Sequence, residues 1–378
     1  MSPKKIIFIA FLFLNPQWIQ SQISNFREKF VLPTEVKENS GLLFFDDKII
    51  THNDSGDAAN LYEIDSLTGN LLRTVLISNA THIDWEDIGE DENNIYIADI
   101  GNNNGNRTDL KIYKILKSEF SNNTSVTAEE ISFSYEDQTD FSSQPNASNF
   151  DAEAIVIYEN SILIFTKNWG DLQTNVYKIP ITPGDYTATK ISTANIDGLI
   201  TGASLYNDHF LLCGYSTTLV PFLVHIAPNT SSSDDIFSVG FTKDALENEL
   251  EPGSQVEGII GFDGGKYYIS REHFSISFGG NEIVFSQKLY EFSDARNQVL
   301  STSQHLKETP AFPNPVSEKL HINFNFNTVA VYNSLGIEQM NYQHDKNTID
   351  VSEFSSGIYF VVFRTAKNTT KTLKILKE

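Results

Sequence analysis

The chain has 378 residues, enough for two or three domains and a large core. Its 27 Lys and Arg against 49 Asp and Glu leave a net charge of −22, which excludes sequence-independent binding to nucleic acid or anionic lipid through a general basic surface. With 40% hydrophobic and only 20% charged residues it is too apolar for global disorder, and it lacks the apolar run of about 18 residues that marks a membrane span.

Residues 1–22 open with Lys4 and Lys5, run through the apolar stretch from Ile6 to Leu14 and turn polar at Asn15-Pro16-Gln17, the pattern of a secretory signal peptide. This apolar run is too short to cross a bilayer, which takes about 20 residues, and Ser21 supplies a small residue before a cleavage point. The one cysteine, Cys213, lies in Phe210-Leu211-Leu212-Cys213-Gly214 and reads as a small apolar residue of a strand. An exported chain that forms no internal disulfide must rest on a large core and closed sheets.

Residues 23–308 repeat a short motif of apolar, aromatic, polar and apolar positions: Leu61-Tyr62-Glu63-Ile64, Ile112-Tyr113-Lys114-Ile115, Val176-Tyr177-Lys178-Ile179, Leu223-Val224-His225-Ile226 and Leu289-Tyr290-Glu291-Phe292. Upstream of each lies a second strand, as in Ile95-Tyr96-Ile97-Ala98-Asp99, and before that an acidic or small start: Glu86-Asp87-Ile88, Glu153-Ala154-Ile155 and Glu257-Gly258-Ile259, with Ser40-Gly41-Leu42 and Thr201-Gly202-Ala203 in the other two units. A fourth strand follows in most units, such as Arg73–Ile77. Five units of four short antiparallel strands, with room for a sixth, predict an all-β domain: a five- or six-bladed β-propeller, in which radial closure removes exposed sheet edges. The segment from Phe26 to Leu32 is placed to add an outer strand to the last blade and close the ring from both ends.

In a propeller the first strand of each blade lines the channel and the second runs back, so first-strand starts and second-strand ends share one rim. That rim gathers Glu86, Glu153 and Glu257 with His52, Asp54, Asp99, Lys167, Trp169, Tyr215, Arg271, Glu272 and His273. Two readings fit these residues. Carboxylates converging from different blades suit a hard cation such as Ca²⁺, with Glu86, Asp99, Glu153 and Glu257 as ligands. Alternatively, the same glutamates pair with Lys167 and Arg271 and fix blade register. Candidate ligand-binding residues on the rim are His52, Asp54, Trp85, Lys167, Arg271 and His273, with His52 and His273 also placed for general-base work. Trp85, set among Asp84, Glu86 and Asp87, either packs between blades or stacks on a sugar. The ligand classes that fit are carbohydrate, peptide and small molecule.

The loops Asn53–Asp57 and Asp99–Arg107 are rich in Asn, Asp and Gly, which serve tight turns as well as oxygen-ligand loops, and neither has EF-hand spacing. There is no Gly-x-Ser-x-Gly elbow, no His-Glu-x-x-His, no phosphate loop and no Cys/His zinc spacing.

Residues 309–378 begin at a Pro-rich hinge and continue in alternating strands, predicting a small C-terminal β-sandwich. Charge divides the chain at the same place: residues 23–308 hold 18 basic and 43 acidic side chains, a net −25, whereas 309–378 hold 7 and 6. Phe312-Pro313-Asn314-Pro315, the Val331–Gly336 stretch, Ser355-Ser356-Gly357-Ile358-Tyr359-Phe360-Val361 and the Lys-rich end resemble the type A C-terminal sorting domain of type IX secretion cargo. The motif positions are Pro313, Asn314, Pro315, Gly336, Gly357, Tyr359 and Lys374. The resemblance implies recognition by the type IX machinery, export through the periplasm and across the outer membrane, a cell-surface or released destination, and no transmembrane span in the mature chain.

The middle domain resembles propellers found in type IX cargo at His52–Gly56, Ile83–Ile88 and Asp99–Asn103. A more distant similarity to calcium-dependent lactonase, gluconolactonase and phytase-like propellers rests on the glutamate-led strand starts and carries no catalytic residue over. The expected function is an exported propeller whose rim binds a ligand. The alternative is a Ca²⁺-dependent hydrolase of lactonase or phosphoesterase type.

Overall fold

The computed structural model describes residues 22–229, 234–279, 281–297, 311–322, 326–343, 348–364 and 370–378, so the expected signal peptide, apart from Gln22, lies outside the described residues. The chain divides into two compact units, residues 1–298 and 299–378.

Strand β1 (Ile23–Val31) precedes five blades in the first unit. Blade one is β2 (Asn39–Phe45), β3 (Lys48–Asn53), β4 (Asn60–Asp65) and β5 (Leu71–Ile77). Blade two is β6 (Trp85–Glu90), β7 (Asn94–Asp99) and β8 (Lys111–Leu116), followed by the short helix α1 (Lys117–Asn122), β9 (Ser125–Val126) and the outer strand β10 (Glu129–Tyr135). Blade three is β11 (Ala152–Tyr158), β12 (Ser161–Thr166), β13 (Gln173–Pro180) and β14 (Gly184–Asn195). Blade four is β15 (Leu199–Tyr206), β16 (His209–Tyr215), β17 (Pro221–Ile226) and β18 (Thr242–Ala245). Blade five is β19 (Val256–Phe262), β20 (Lys266–Arg271), a hairpin of β21 (Phe274–Phe278) and β22 (Asn281–Phe285), and β23 (Lys288–Asp294).

The inner strands β2, β6, β11, β15 and β19 touch one another in cyclic order, so the ring closes at five blades. The repeated aromatic motif occupies the third strand of each blade, β4, β8, β13, β17 and β23. Its apolar positions fill the spaces between blades. Five buried clusters result, one per interface: Leu61 and Val75 with Ile97 and Tyr113, Tyr96 and Ile112 with Ile164 and Tyr177, Phe165 and Val176 with Leu212 and Val224, Leu211 and Leu223 with Tyr267 and Phe292, and Tyr62 and Ile49 with Tyr268 and Leu289.

The last blade takes its outer strand from the N-terminal end of the unit. Strand β1 pairs antiparallel with β23, from Ile23 opposite Asp294 to Val31 opposite Lys288. Phe26 stacks on Phe292 at 5.5 Å, and Phe292 stacks on Tyr267 at 5.3 Å on its other side. Two further pairings join neighbouring blades at their outer edges, both parallel: β10 with β14, and β5 with β9.

The second unit holds β24 (Ala311–Phe312), β25 (Lys319–Ile322), β26 (Thr328–Asn333), β27 (Glu338–Gln343), β28 (Thr348–Asp350), β29 (Gly357–Arg364) and β30 (Thr370–Lys377). They form a three-stranded sheet, β24-β25-β28, and a four-stranded sheet, β27-β26-β29-β30, that share one core around Leu320, Val331, Ile349, Val361 and Phe363.

Phe292→Ala removes the ring that links the closing strand to the blade-five core and should cost about 3–5 kcal/mol, the range for a fully buried phenylalanine. Urea unfolding of the variant checks this, and an unchanged midpoint would show that closure does not rest on this stack.

Candidate functional site

Each inner strand carries a bulge near its start, at Gly41-Leu42, Glu86, Glu153, Thr201 and Glu257-Gly258. A bulge leaves one residue unopposed and re-aims its side chain. Ser40, Glu86, Glu153, Thr201 and Glu257 hold corresponding positions in the five units, and all but Thr201 line one cavity. The two hydroxyls bind the backbone of the next blade: Ser40 Oγ donates to the Glu86 carbonyl, and Thr201 Oγ1 to the Val256 carbonyl at 2.6 Å. The three glutamates are longer and reach a cavity of about 230 Å³ at the channel mouth, walled also by Asp54, Lys167, Trp169, Tyr215 and Glu272. Gly41, at φ +52°, leaves the next blade room: a side chain there would press on the Ile88 amide and on His52.

Lys167 is the central cation of the mouth. Its ammonium lies 3.1 Å from Glu153 Oε1, 5.1 Å from the centre of the Trp169 ring and 5.4 Å from that of Tyr215. Burial alone would lower its pKa, but Glu153, Tyr215, Glu257 and Asp151 together hold it well above the usual lysine value. Burial raises the pKa of Glu153, with Lys167 pulling the other way.

Glu86 and Glu257 are only 5% and 6% exposed, and both line the cavity. Burial pushes Glu86 well above the carboxylate range, helped by Glu153, Asp84 and Asp151. Glu257 is pushed up in the same way, mainly by burial, with Glu272, Glu153 and Asp54 adding to it against Lys167. Glu272 rises to about 8 through burial and the nearby Asp54, and accepts a hydrogen bond from Gln255 Nε2 at 2.6 Å. Asp84 rises to about 6 through burial, Asp151 and Asp54. The Glu86 and Asp84 carboxyl oxygens crowd over Gly101, filling the space a β-carbon would need.

Around the mouth a second group of residues sets these side chains in place. Asp151, fully buried, accepts from the Asn102 amide at 2.6 Å and from Trp169 Nε1 at 2.8 Å, fixing the tryptophan that faces Lys167. Asp87 accepts from the amides of Ile88 and Ile155, both at 2.8 Å, and so ties β6 to β11.

Of the rim residues expected from sequence, the structure brings Asp54, Glu86, Glu153, Lys167, Trp169, Tyr215, Glu257 and Glu272 together around one cavity. Five others lie elsewhere. Asp99 is paired with Arg107 at 2.8 Å, which also binds the Gly101 carbonyl and pins the 99–107 loop. Trp85 is fully buried between blades one and two, edge-on to His52 and His82, with its Nε1 donating to the Thr81 carbonyl. His52 is buried beside it, its pKa lowered to about 4 by burial, so it is neutral. Arg271 turns from the glutamates to Glu251 at 2.8 Å, Ser254 and the Ser286 carbonyl. His273 binds the Lys37 carbonyl through its backbone and does not line the cavity.

Asp151 was not singled out by sequence. Its signal is the spacing Asp84-Trp85-Glu86, Asp151-Ala152-Glu153 and Gln255-Val256-Glu257, an acid or amide two residues before each channel glutamate. Among the described residues no group of three or more His, Cys, Asp or Glu side chains is arranged to hold a metal ion.

Residues 310–378 match the family described as the secretion system C-terminal sorting domain. No curated protein matches the chain. Among solved structures it is similar to an exo-β-1,3-galactanase from Phanerochaete chrysosporium, at 7% identity over 93% of this chain and 100% of that one, with a TM-score of 0.45. It is also similar to the PQQ-bound aldose sugar dehydrogenase of Streptomyces coelicolor, at 8% identity over 71% and 98% of the two chains, TM-score 0.40. A third similarity is to PorZ, a surface component of the type IX secretion system of Porphyromonas gingivalis, at 10% identity over 90% of this chain and 45% of that one, TM-score 0.35.

The chain is thus type IX secretion cargo, carried across the outer membrane to the cell surface or the medium by its C-terminal domain. No helix among the described residues is long and apolar enough to cross a membrane.

Deleting residues 310–378 should keep the protein inside the outer membrane, as read by immunoblots of cell fractions and medium. Its appearance outside the cell at the full-length level would contradict a sorting role for the tail. A second expectation concerns pH. Glu272 has a folded pKa of about 8, above its unfolded value, so the native state holds the extra proton. Its stabilising effect is complete below about pH 4.5 and is lost as pH rises towards 8. Glu272→Gln should therefore flatten part of the fall in melting temperature between pH 5 and pH 8, and identical slopes in both proteins would refute the shift.

Proposed function

We propose that the propeller is a ligand-binding module of the cell exterior, and that its channel mouth takes a small polar ligand or the end of a longer one. The observation that carries this reading is the cavity of about 230 Å³ itself, where Glu86, Glu153 and Glu257 from three blades converge with Lys167 beside Trp169 and Tyr215. Polar groups from several blades facing one cavity suggest a polar ligand that enters from outside. Trp169 and Tyr215 add aromatic walls, as binding sites for sugars, peptides and amines do. The excess of carboxyls disfavours anions.

The reading as a Ca²⁺-dependent lactonase or phosphoesterase has less support. The Lys167 ammonium stands against Glu153 and near Glu257, where a divalent ion would have to sit, and Asp99 is engaged by Arg107. A calcium ion would meet that ammonium's repulsion with twice the charge of a monovalent ligand.

The test is calorimetry on the full chain with neutral oligosaccharides, a lysine-containing peptide and calcium chloride, repeated on Glu257→Gln and Trp169→Ala. At least one class should bind the unaltered protein and bind each variant about tenfold or more weakly, as expected for losing a hydrogen-bonding carboxyl or an aromatic wall. Binding that neither substitution touches, or no binding by any class, would move the function away from the channel mouth.

A further inference from the structure

We infer that the far end of the channel is a second binding site, which takes an uncharged, largely apolar small molecule. It stands apart from the reading of the acidic mouth. A cavity of about 390 Å³ lies there, walled by the later halves of the five inner strands, and it shares no residue with the cavity around Lys167. Every blade supplies an aliphatic wall: Leu43, Ile88, Ile155 with Ile157, Leu205 and Ile260. Of these, Ile157, Leu205 and Ile260 stay only half-buried, so apolar side chains from three blades meet water inside one concavity. A ligand that covers them removes apolar surface from water, which is the driving force for binding.

The two cavities are separated by a waist at which the blades touch. Buried Asp87 accepts the Ile88 and Ile155 amides, both at 2.8 Å, and joins β6 to β11 at that level. Between blades five and one, Gly258 lies so near β2 that a β-carbon would stand 2.6 Å from Leu42 Cγ. Two residues carry β6 and β11 from the acidic cavity to the apolar one, Glu86 to Ile88 and Glu153 to Ile155.

Charge decides what the far cavity takes. Its charged side chains are Glu90, Asp91 and Lys117, and each is already matched. Glu90 pairs with Lys117 at 2.7 Å, and the same ammonium lies 5.2 Å from the centre of the Phe45 ring. Asp91 accepts from the Tyr96 hydroxyl at 2.6 Å and from the Asn93 and Asn94 amides at 2.8 and 2.7 Å. A charged ligand would give up its water here without gaining a free counter-charge, a cost that an uncharged one avoids. Hydrogen bonds for such a ligand are available from the backbone, because each inner strand is an edge strand of its sheet and turns N–H and C=O groups towards the channel.

Size agrees, since the volume falls within the range of about 300–1,000 Å³ for small-molecule sites. Gly89 helps to keep that space open. It lines the cavity, and a β-carbon there would come within 3.3 to 3.5 Å of Ile155 and Ile157. Alanine at this position fits with a small shift of its neighbours, whereas leucine extends into the cavity and occupies the ligand's place.

The experiment titrates the full chain with two fluorescent dyes that brighten in apolar surroundings: uncharged phenylnaphthylamine, and anilinonaphthalene sulfonate, which has the same rings and an added negative charge. The uncharged dye should bind once per chain, and the sulfonate at least about tenfold more weakly. Gly89→Leu and Ile157→Ser should each weaken the uncharged dye by about tenfold or more. Gly89→Ala should retain most of the affinity, and Ile157→Ser keeps the test decisive should the leucine variant fail to fold. Ile276→Ser on the hairpin β21–β22 and Phe360→Ser on β29 remove exposed apolar side chains elsewhere and should leave binding unchanged. Loss of binding in either of these, with none in Gly89→Leu and Ile157→Ser, would place the dye outside the channel and overturn the site. Equal or tighter binding of the sulfonate would overturn the preference for an uncharged ligand, and failure of both dyes to bind would overturn the inference as a whole.

Discussion

Closure of the ring is the constraint on which the rest of the molecule depends. Five inner strands can share one axis only if the fifth blade meets the first, and that interface is built around Leu32, Val36, Leu42, Ile49 and Tyr62 from one side and Tyr268 and Leu289 from the other. The strand that completes blade five, β1, comes from the opposite end of the unit, so that the last sheet cannot be finished without the first residues. No disulfide reinforces it, since Cys213 is the only cysteine and is buried in β16. The ion pairs along the seam, such as Arg27 with Glu291 and Lys288 with Glu28, involve exposed partners and contribute little. The apolar packing beneath them and the backbone ladder hold the seam.

Closure also decides what becomes of the polar residues at the strand starts. Once the inner strands converge, any long side chain at a bulge must enter the channel. Short hydroxyls at two of the five positions bond sideways to the neighbouring blade and help set its register. Glutamate at the other three is too long for that arrangement and instead concentrates carboxyl groups around one cavity. The cost of this choice shows in the raised pKa values of Glu86, Glu257 and Glu272, which depart from ordinary carboxylates first through burial.

Much of the architecture was legible in the sequence because it is periodic. The apolar-aromatic-polar-apolar motif recurs on the third strand of every blade, since each third strand must bury the same faces between its neighbours. The closing strand around Phe26 could be anticipated because a ring with an incomplete last blade needs one. The outcomes at Trp85 and Arg271 were not legible. Trp85 had two destinations of similar chemistry, and only the packing against His52, His82 and Tyr113 distinguishes them. The partner of Arg271 is Glu251, which lies on a connecting loop about twenty residues away with no strand pattern to place it. The parallel pairings of β5 with β9 and β10 with β14 join segments about fifty residues apart, a distance at which local hydrophobic pattern says nothing.

The acidity of the propeller has two parts with different consequences. Most of its 43 acidic side chains are exposed, and their mutual repulsion keeps an exported protein from associating with itself. The few at the channel mouth are a separate population, withdrawn from water and facing a single lysine. Lysine suits that place better than arginine would. Its compact charge on a flexible stem reaches past Trp169 and Tyr215 to Glu153, whereas a planar guanidinium would seek a bidentate carboxylate and fill the space in front of Glu86 and Glu257. By standing against Glu153 and within reach of Glu257, Lys167 makes the burial of so much acid tolerable.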